Sequence, residues 1–104
     1  MKIQLFDKSI EQFILSLDKS TVAKTLRTID LLEEFGHKLG MPHSKKIDKN
    51  LFELRIRGKQ EVRIFYGFHK NSIILLHGFI KKSQKIPERE IFTASQRLRV
   101  LTNL

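Results

Sequence analysis

The chain has 104 residues, no cysteine and a net charge of +9. This length predicts one domain over residues 1–104 that buries enough apolar surface to fold without disulfides, and the missing cysteines exclude a thiolate nucleophile and a cysteine metal site. No apolar run approaches the length of a membrane span, and acidic residues stand where a signal peptide would have its apolar core, so we expect a cytoplasmic protein.

Positive charge is concentrated in one part of the chain. Residues 1–40 hold six basic and six acidic side chains, whereas residues 41–104 hold 14 basic and five acidic ones and carry the whole net charge. Such an asymmetry indicates an anionic partner, which could be nucleic acid, an anionic membrane or an acidic protein.

The N-terminal residues predict a short strand followed by a helix. Ile3 and Leu5 alternate with polar residues, as in a strand. Ser9 and Gln12 then form a capping box at the start of the first helix. The apolar face of this helix is predicted to consist of Ile10, Phe13, Ile14 and Leu17.

A second helix is predicted to begin after Asp18 or Ser20 and to end at Gly36, so that the two helices form a hairpin. Residues 37–50 then read as a polar connection and as the most mobile segment. The apolar face of the second helix is predicted to consist of Val22, Leu26, Ile29, Leu32 and Phe35.

Residues 51–87 predict a meander of three antiparallel strands. Side chains alternate between the two faces, and residues paired across a hairpin keep a constant sum of residue numbers. Only an odd-numbered loop matches apolar to apolar positions, and a three-residue loop at 58–60 sets Arg55 directly opposite Arg63. On this face Arg55 and Arg63 are joined by Glu53, which lies diagonally near Arg63.

The next turn, at residues 70 and 71, suits a two-residue hairpin that pairs His69 with Ser72. Continuing that count sets Gly78 opposite Arg63 and leaves the space above the arginine open. The same count assigns Ile74, Leu76, Ile80 and Lys82 to the arginine face, and Ile73, Leu75, His77, Phe79 and Lys81 to the apolar face.

Pro87 is predicted in the first turn of a last helix, with Glu88 and Glu90 near its positive end. The whole chain then reads as an α+β fold. An N-terminal strand and a helical hairpin pack on a mostly antiparallel sheet with a three-stranded meander, and a C-terminal helix closes the domain. This helix is expected to cover the apolar members of the arginine face, namely Phe65, Leu76 and Ile80.

Arg55, Arg63 and Lys82 converge on one side of the predicted sheet and form the candidate site. Two arginines directly opposite each other repel, so the arrangement favours an anion between them. A phosphodiester fits, because guanidinium groups hold its oxygens and stabilise the added charge of a phosphorane-like transition state. The alternative is a solvated sheet face, where basic residues are common.

Basic residues that flank this face are candidates for contact with an RNA backbone; solvated lysine runs are the alternative. The histidines have no spacing that makes a metal site, and His77 is predicted as a satisfied core residue. No phosphate-binding loop or nucleophile triad supports nucleotide hydrolysis or acyl transfer. The candidate RNA-binding residues are Lys45, Lys46, Arg57, Lys81 and Lys85.

The meander carries short motifs whose order and spacing are typical of one toxin group. With the charge-poor helical hairpin and the closing helix, the chain resembles the RelE/ParE toxin superfamily over essentially its whole length, and within it the phage-derived HigB-like branch. The resemblance implies a RelE-like fold. The motifs are Glu53-Leu54-Arg55, Arg63 followed by Phe65-Tyr66, and Gly78-Phe79 leading to Lys81-Lys82, Gln84 and Pro87.

The resemblance also implies a function: the toxin of a type II toxin-antitoxin pair, usually an mRNA endonuclease that works on the ribosome. Such enzymes need no metal or other cofactor and cleave by attack of the ribose 2′-hydroxyl on the adjacent phosphate. The implied partners are a cognate antitoxin with a helix-turn-helix domain, mRNA and the ribosome, and no membrane. A ParE-like inhibitor of DNA gyrase and a nucleic-acid-binding module without activity are the alternatives.

On the matching positions, Arg55, Arg63 and Lys82 would bind the phosphate and stabilise the transition state. Some relatives carry a tyrosine or histidine near the C-terminus for proton transfer, and residues 86–104 contain neither. Lys82 is then a candidate general acid, and Glu53 either accepts the 2′-hydroxyl proton or orients the arginines. Catalysis by positioning and charge stabilisation alone is a further alternative.

Overall fold

The computed structural model describes residues 1–103, which form an α+β fold with a five-stranded mixed sheet. The predicted order of helices and strands is confirmed, apart from one added strand, β2. The elements are β1 (Lys2–Leu5), α1 (Lys8–Leu15), α2 (Lys19–Phe35), a 3₁₀ turn (Gly36–Lys38), β2 (Ser44–Asp48), β3 (Leu51–Ile56), β4 (Val62–His69), β5 (Ser72–Ile80) and α3 (Glu88–Thr102).

The strands lie in the order β1-β5-β4-β3-β2, with β1 parallel to β5 and the other neighbours antiparallel. The prediction that residues 37–50 form only a polar connection is wrong, because they include β2. This strand pairs with β3, and Ser44 lies opposite Leu54. Polar and charged residues occupy most of this edge strand, so its sequence lacks the apolar alternation that indicates a strand. The Ser44 hydroxyl is hydrogen-bonded to the Tyr66 hydroxyl, which ties the edge strand to β4.

The ends of the helices follow local capping chemistry. Asp7, rather than Ser9, is the N-cap of α1, and the hydroxyl and backbone N–H of Ser9 both donate to its carboxylate. These hydrogen bonds lower the pKa of Asp7 below its ordinary value. The predicted stop of α2 is confirmed, because Gly36 has a φ of +51° that other residues rarely adopt.

Helices cover both faces of the sheet. On one face, α1 and α2 pack on apolar side chains of all the central strands. On the other, α3 packs through Ala94 on a second cluster, and this confirms that α3 covers Phe65 and Leu76. The first core includes Ile10, Ile14, Leu32, Leu54, Ile64 and Leu75; the second includes Leu51, Phe65, Ile74, Leu76 and Phe79.

The predicted apolar face of α2 is confirmed for Val22, Ile29 and Leu32, which pack in the first core, and is wrong for its other two residues. Leu26 and Phe35 are 50% and 45% exposed, whereas Thr21, Thr25 and Thr28 are buried. The Thr28 hydroxyl donates within the helix to the Lys24 carbonyl at 2.8 Å, whereas the hydroxyls of Thr21 and Thr25 are buried without a hydrogen-bond partner. The polar residues beside these threonines lie towards the end of β3.

The first predicted hairpin register is confirmed: Arg55 lies opposite Arg63. The second hairpin is confirmed at its turn, where His69 pairs with Ser72 and residues 70 and 71 both have positive φ. The register then shifts by one residue between Phe65 and Tyr66. Such a shift is a β-bulge, in which one strand carries an extra residue.

The bulge overturns the predicted partner of Arg63. Phe79, not Gly78, lies opposite Arg63, and Gly78 lies opposite Ile64. Gly78 faces α1, because a Cβ added to it would lie 2.5 Å from Cδ2 of Phe13. The face assignments beyond the bulge therefore change: His77 and Phe79 join the arginine face, Ile80 packs with the α1–α2 core, and Lys81 and Lys82 follow the end of β5.

Candidate functional site

A buried carboxylate joins the two arginines of the predicted site. Oε1 of Glu53 lies 3.5 Å from Nε of Arg55 and 3.7 Å from Nε of Arg63. The side chain of Glu53 is 3% exposed, and those of the arginines 13% and 2%. We call these three residues the arginine cluster. Glu53 offsets the repulsion that two paired arginines would otherwise have.

Arg63 is buried and has a partner at each of its two outer nitrogens. Its Nη1 donates to the Val62 carbonyl at 3.0 Å, and its Nη2 lies 3.3 Å from Oε1 of Glu61. The expected open space above Arg63 is therefore wrong, because Glu61 occupies the position next to its outer nitrogen. The side chain of Glu61 is 41% exposed, so it is the member of this pair that can move into solvent.

Arg55 is the more accessible arginine of the cluster. Its Nη1 donates to Sδ of Met41 at 3.6 Å, and its backbone N–H donates to the His43 carbonyl at 2.8 Å. These contacts hold the 41–43 loop against the end of β3. An anion approaching from solvent on this side meets Arg55 before Arg63.

Lys82 lies next to the cluster through a shared neighbour. It is exposed and lines a shallow pocket of about 400 Å³ together with Lys81 and Glu61. The Lys81 backbone N–H donates to the Glu61 carbonyl at 2.7 Å, which fixes the start of this segment. Glu61 is thus in contact with Arg63 and also borders the pocket of Lys82.

The candidate RNA-binding residues are spread over both faces. Lys45 is exposed and pairs with Glu53, so it borders the arginine face, whereas Nζ of Lys46 lies 5.9 Å from the centre of the Phe52 ring on the other face. Arg57 and Lys85 are exposed in the segments that follow β3 and β5. The basic residues therefore flank the cluster from several directions.

A groove between α2 and the end of β3 contains basic residues that sequence reasoning missed. It has a volume of about 580 Å³ and includes Lys24 and Arg27 of α2 as well as Arg55 and Arg57. We call it the α2–β3 groove. Lys24 and Arg27 are three residues apart and so share one side of the helix, but they belong to residues 1–40, which carry no net charge.

His77 differs in position from its prediction but not in character. It lies on the α3 side of the sheet rather than with the α1–α2 core, and its Nε2 is 3.0 Å from Oε1 of Glu90. It is therefore a satisfied, half-buried residue. Within residues 1–103, no group of three histidine, aspartate or glutamate side chains could hold a metal ion.

The arrangement of helices and strands indicates the class of fold. An N-terminal strand and helices, a five-stranded mixed sheet and a C-terminal helix are compatible with the RelE-like fold. No helix in the described part of the chain is both long and apolar enough to cross a membrane.

The comparison with protein families is more specific. The model of the phage-derived protein Gp49-like family (DUF891) matches residues 12–99, so the chain belongs to this family, which is commonly linked to RelE-like toxins. The match includes the arginine cluster and the whole α2–β3 groove. No curated protein matches the chain.

Proposed function

We propose that the protein is the toxin of a type II toxin-antitoxin system, from the HigB-like branch of the RelE/ParE superfamily. In this proposal it is a cytoplasmic, metal-independent mRNA endonuclease that acts on the ribosome and is neutralised by a cognate helix-turn-helix antitoxin. The observation that carries the proposal is the arginine pair held by Glu53 in a member of a family linked to RelE-like toxins. The concentration of positive charge in residues 41–104 agrees with an RNA substrate.

The proposed reaction is an intramolecular attack. The 2′-oxygen bonds to the adjacent phosphorus and the bond to the 5′-oxygen breaks, which leaves a 2′,3′-cyclic phosphate and a 5′-hydroxyl. The 2′-hydroxyl proton passes to a solvent water molecule, and Lys82 delivers a proton to the 5′-oxygen. Because the nucleophile belongs to the substrate, the protein contributes mainly position and charge stabilisation.

Arg55 and Arg63 stabilise the negative charge that builds up on the phosphate. For Arg63 this requires an exchange of anions, because Glu61 lies 3.3 Å from its Nη2. A phosphate that enters from the Arg55 side displaces the Glu61 carboxylate into solvent and takes its place. The arginine then exchanges one anion for another, so its charge is not left unpaired in a buried position.

Glu53 is the positioning residue in this scheme. Its carboxylate is 3% exposed and lies beside both guanidinium groups, so its contacts support orientation of the arginines rather than proton transfer with the substrate. Lys82 is the proposed general acid for the 5′-oxygen, since it is exposed beside Glu61. Backbone phosphates on either side are bound by Lys45, Lys46, Arg57, Lys81 and Lys85.

The test is growth inhibition and mRNA cleavage on expression of matched variants. Lys82→Ala and Arg63→Lys are expected to lose both effects. Lysine keeps the charge of Arg63 but not the planar fork that holds a phosphate, and it disturbs the fold less than alanine does. Lys38→Ala, an exposed lysine of the 3₁₀ turn, is the control and is expected to keep full toxicity.

Full toxicity in both site variants would overturn the proposal. Accumulated DNA breaks with intact mRNA would also overturn it and would indicate inhibition of gyrase. Circular dichroism of the purified variants shows whether each loss occurs in a folded protein.

A further inference from the structure

The α2–β3 groove has an unusual balance of charge. Four cationic residues line it, Lys24, Arg27, Arg55 and Arg57, and Asp30 is the one acidic residue among its lining residues. A concave site with an excess of one sign concentrates its counter-ion. The groove therefore favours an anionic ligand.

The size and floor of the groove indicate what kind of anion fits. Its volume of about 580 Å³ falls within the roughly 300–1,000 Å³ typical of small-ligand sites. Leu31, Pro42 and Ile56 supply apolar surface, and His43 supplies an imidazole ring. Proteins bind single-stranded RNA by combining such ring surfaces, on which bases stack, with cations that contact phosphates. An acidic peptide would use the cations but not the ring.

Contacts already present hold the groove in shape. Nζ of Lys24 donates to the Arg57 carbonyl at 3.0 Å, which fixes the ammonium group between α2 and the end of β3. On the other side, the hydrogen bond from the Arg55 backbone N–H to the His43 carbonyl fixes the loop that carries the imidazole. Ligand binding then orders few additional groups, which lowers its entropic cost.

Arg55 connects the groove to the arginine cluster. Arg55 is one of the lining residues of the groove, and its side chain lies 3.5 Å from Glu53 on the α3 side of the sheet. The paired residues of β2 and β3 end at Ser44 and Leu54, so a strand in the groove would reach the cluster around this end of β3. We propose that the α2–β3 groove binds one or two nucleotides of single-stranded RNA next to the phosphate that is cleaved, with Lys24 and Arg27 as phosphate contacts. This inference rests on the proposed function, which it extends by a substrate-binding subsite.

The test measures binding rather than cleavage. A short fluorescein-labelled oligouridine is titrated with the full chain, and anisotropy is recorded at several salt concentrations. The double variant Lys24→Gln/Arg27→Gln is compared with the wild type and with Lys19→Gln, an exposed lysine of the same helix outside the groove. Loss of two contacts is expected to reduce the salt slope by about 1.4 and, at 0.1 M salt, the affinity by about 25-fold, from about 0.7 decades per phosphate contact.

Equal affinity and slope in the double variant and in Lys19→Gln would overturn the inference. Undetectable binding of oligouridine to the wild type would also overturn it. The same holds if polyglutamate at equal charge displaces the RNA from the wild type but not from the double variant. Cleavage assays separate this result from the proposed function. If the wild type binds RNA through the groove but does not cleave it, only the proposed nuclease activity is refuted. If the double variant cleaves RNA as well as the wild type does, only the proposed role of the groove is refuted.

Discussion

Glu53→Gln is the substitution that tests the arginine cluster most sharply. It keeps the size of the side chain and removes the charge that lies beside Arg55 and Arg63. Arg63 is 1% exposed, so its guanidinium cannot recover water in place of the lost carboxylate. The variant keeps two opposed arginines, and among residues 1–103 the partly exposed Glu61 is the one carboxylate that still lies beside Arg63.

The expected cost follows from that burial. Breaking a buried ion pair by removing one partner costs about 3–5 kcal/mol. For a domain of about 100 residues this lowers Tm by at least about 12 °C. Glu61→Gln is the matched control, because it removes a carboxylate from the same arginine but at a position that is 41% exposed, where an ion pair contributes about 0–1 kcal/mol.

Thermal and urea unfolding followed by circular dichroism measure both variants. The two losses in free energy of unfolding can be compared directly, since both substitutions change Glu to Gln beside Arg63. If Glu53→Gln destabilises the protein no more than Glu61→Gln does, the two arginines do not depend on Glu53, and the cluster described above is not a unit.

Three further outcomes are expected. Burial raises the pKa of the Tyr66 phenol above its ordinary value of 10.0, so the folded state holds this proton more tightly than the unfolded state does. The contribution of Tyr66 to stability is therefore present below about pH 10 and is lost as the pH rises further. Above about pH 10 the free energy of unfolding should fall less steeply with pH in Tyr66→Phe than in the wild type. Gly78→Ala should cost about 1–3 kcal/mol in urea unfolding, because its Cβ would lie 2.5 Å from the Phe13 ring, and Phe13→Leu in the same chain should restore part of the loss. Glu61→Gln should bind single-stranded RNA more tightly than the wild type in the anisotropy assay, because the carboxylate that competes for Arg63 is gone; unchanged binding would contradict the exchange of anions.

The alternation of side chains along the strands predicted the cross-strand partners correctly where the strands are regular. It placed Arg55 opposite Arg63 and brought Glu53 to them, because apolar residues alternate cleanly in this hairpin. It failed beyond Leu75, where the run of apolar residues in β5 has no alternation and one extra residue forms a bulge. A register shift of this kind depends on packing against both helical layers, which a strand sequence does not contain.

Helical periodicity had a comparable limit in α2. The pattern was right for Val22, Ile29 and Leu32, which pack in the core, but it missed the buried threonines of α2 and placed the half-exposed Leu26 on the buried face. The rotation of the helix is set by tertiary packing, which overrides the preference of single residues. For the same reason the α2–β3 groove could not be predicted: Lys24 and Arg27 are ordinary surface residues until the helix is oriented beside Arg55 and Arg57.

The chemistry of cleavage is the central claim, and one measurement tests it most directly. Ribosomes are programmed with an mRNA that carries a single 2′-deoxynucleotide at the position where the wild-type protein cuts the all-ribose message. We expect the all-ribose message to end in a 2′,3′-cyclic phosphate at that position and the substituted message to stay intact there. Cleavage that persists at the deoxynucleotide, or products that end in a 3′-hydroxyl with a 5′-phosphate on the downstream piece, would contradict attack by the 2′-hydroxyl.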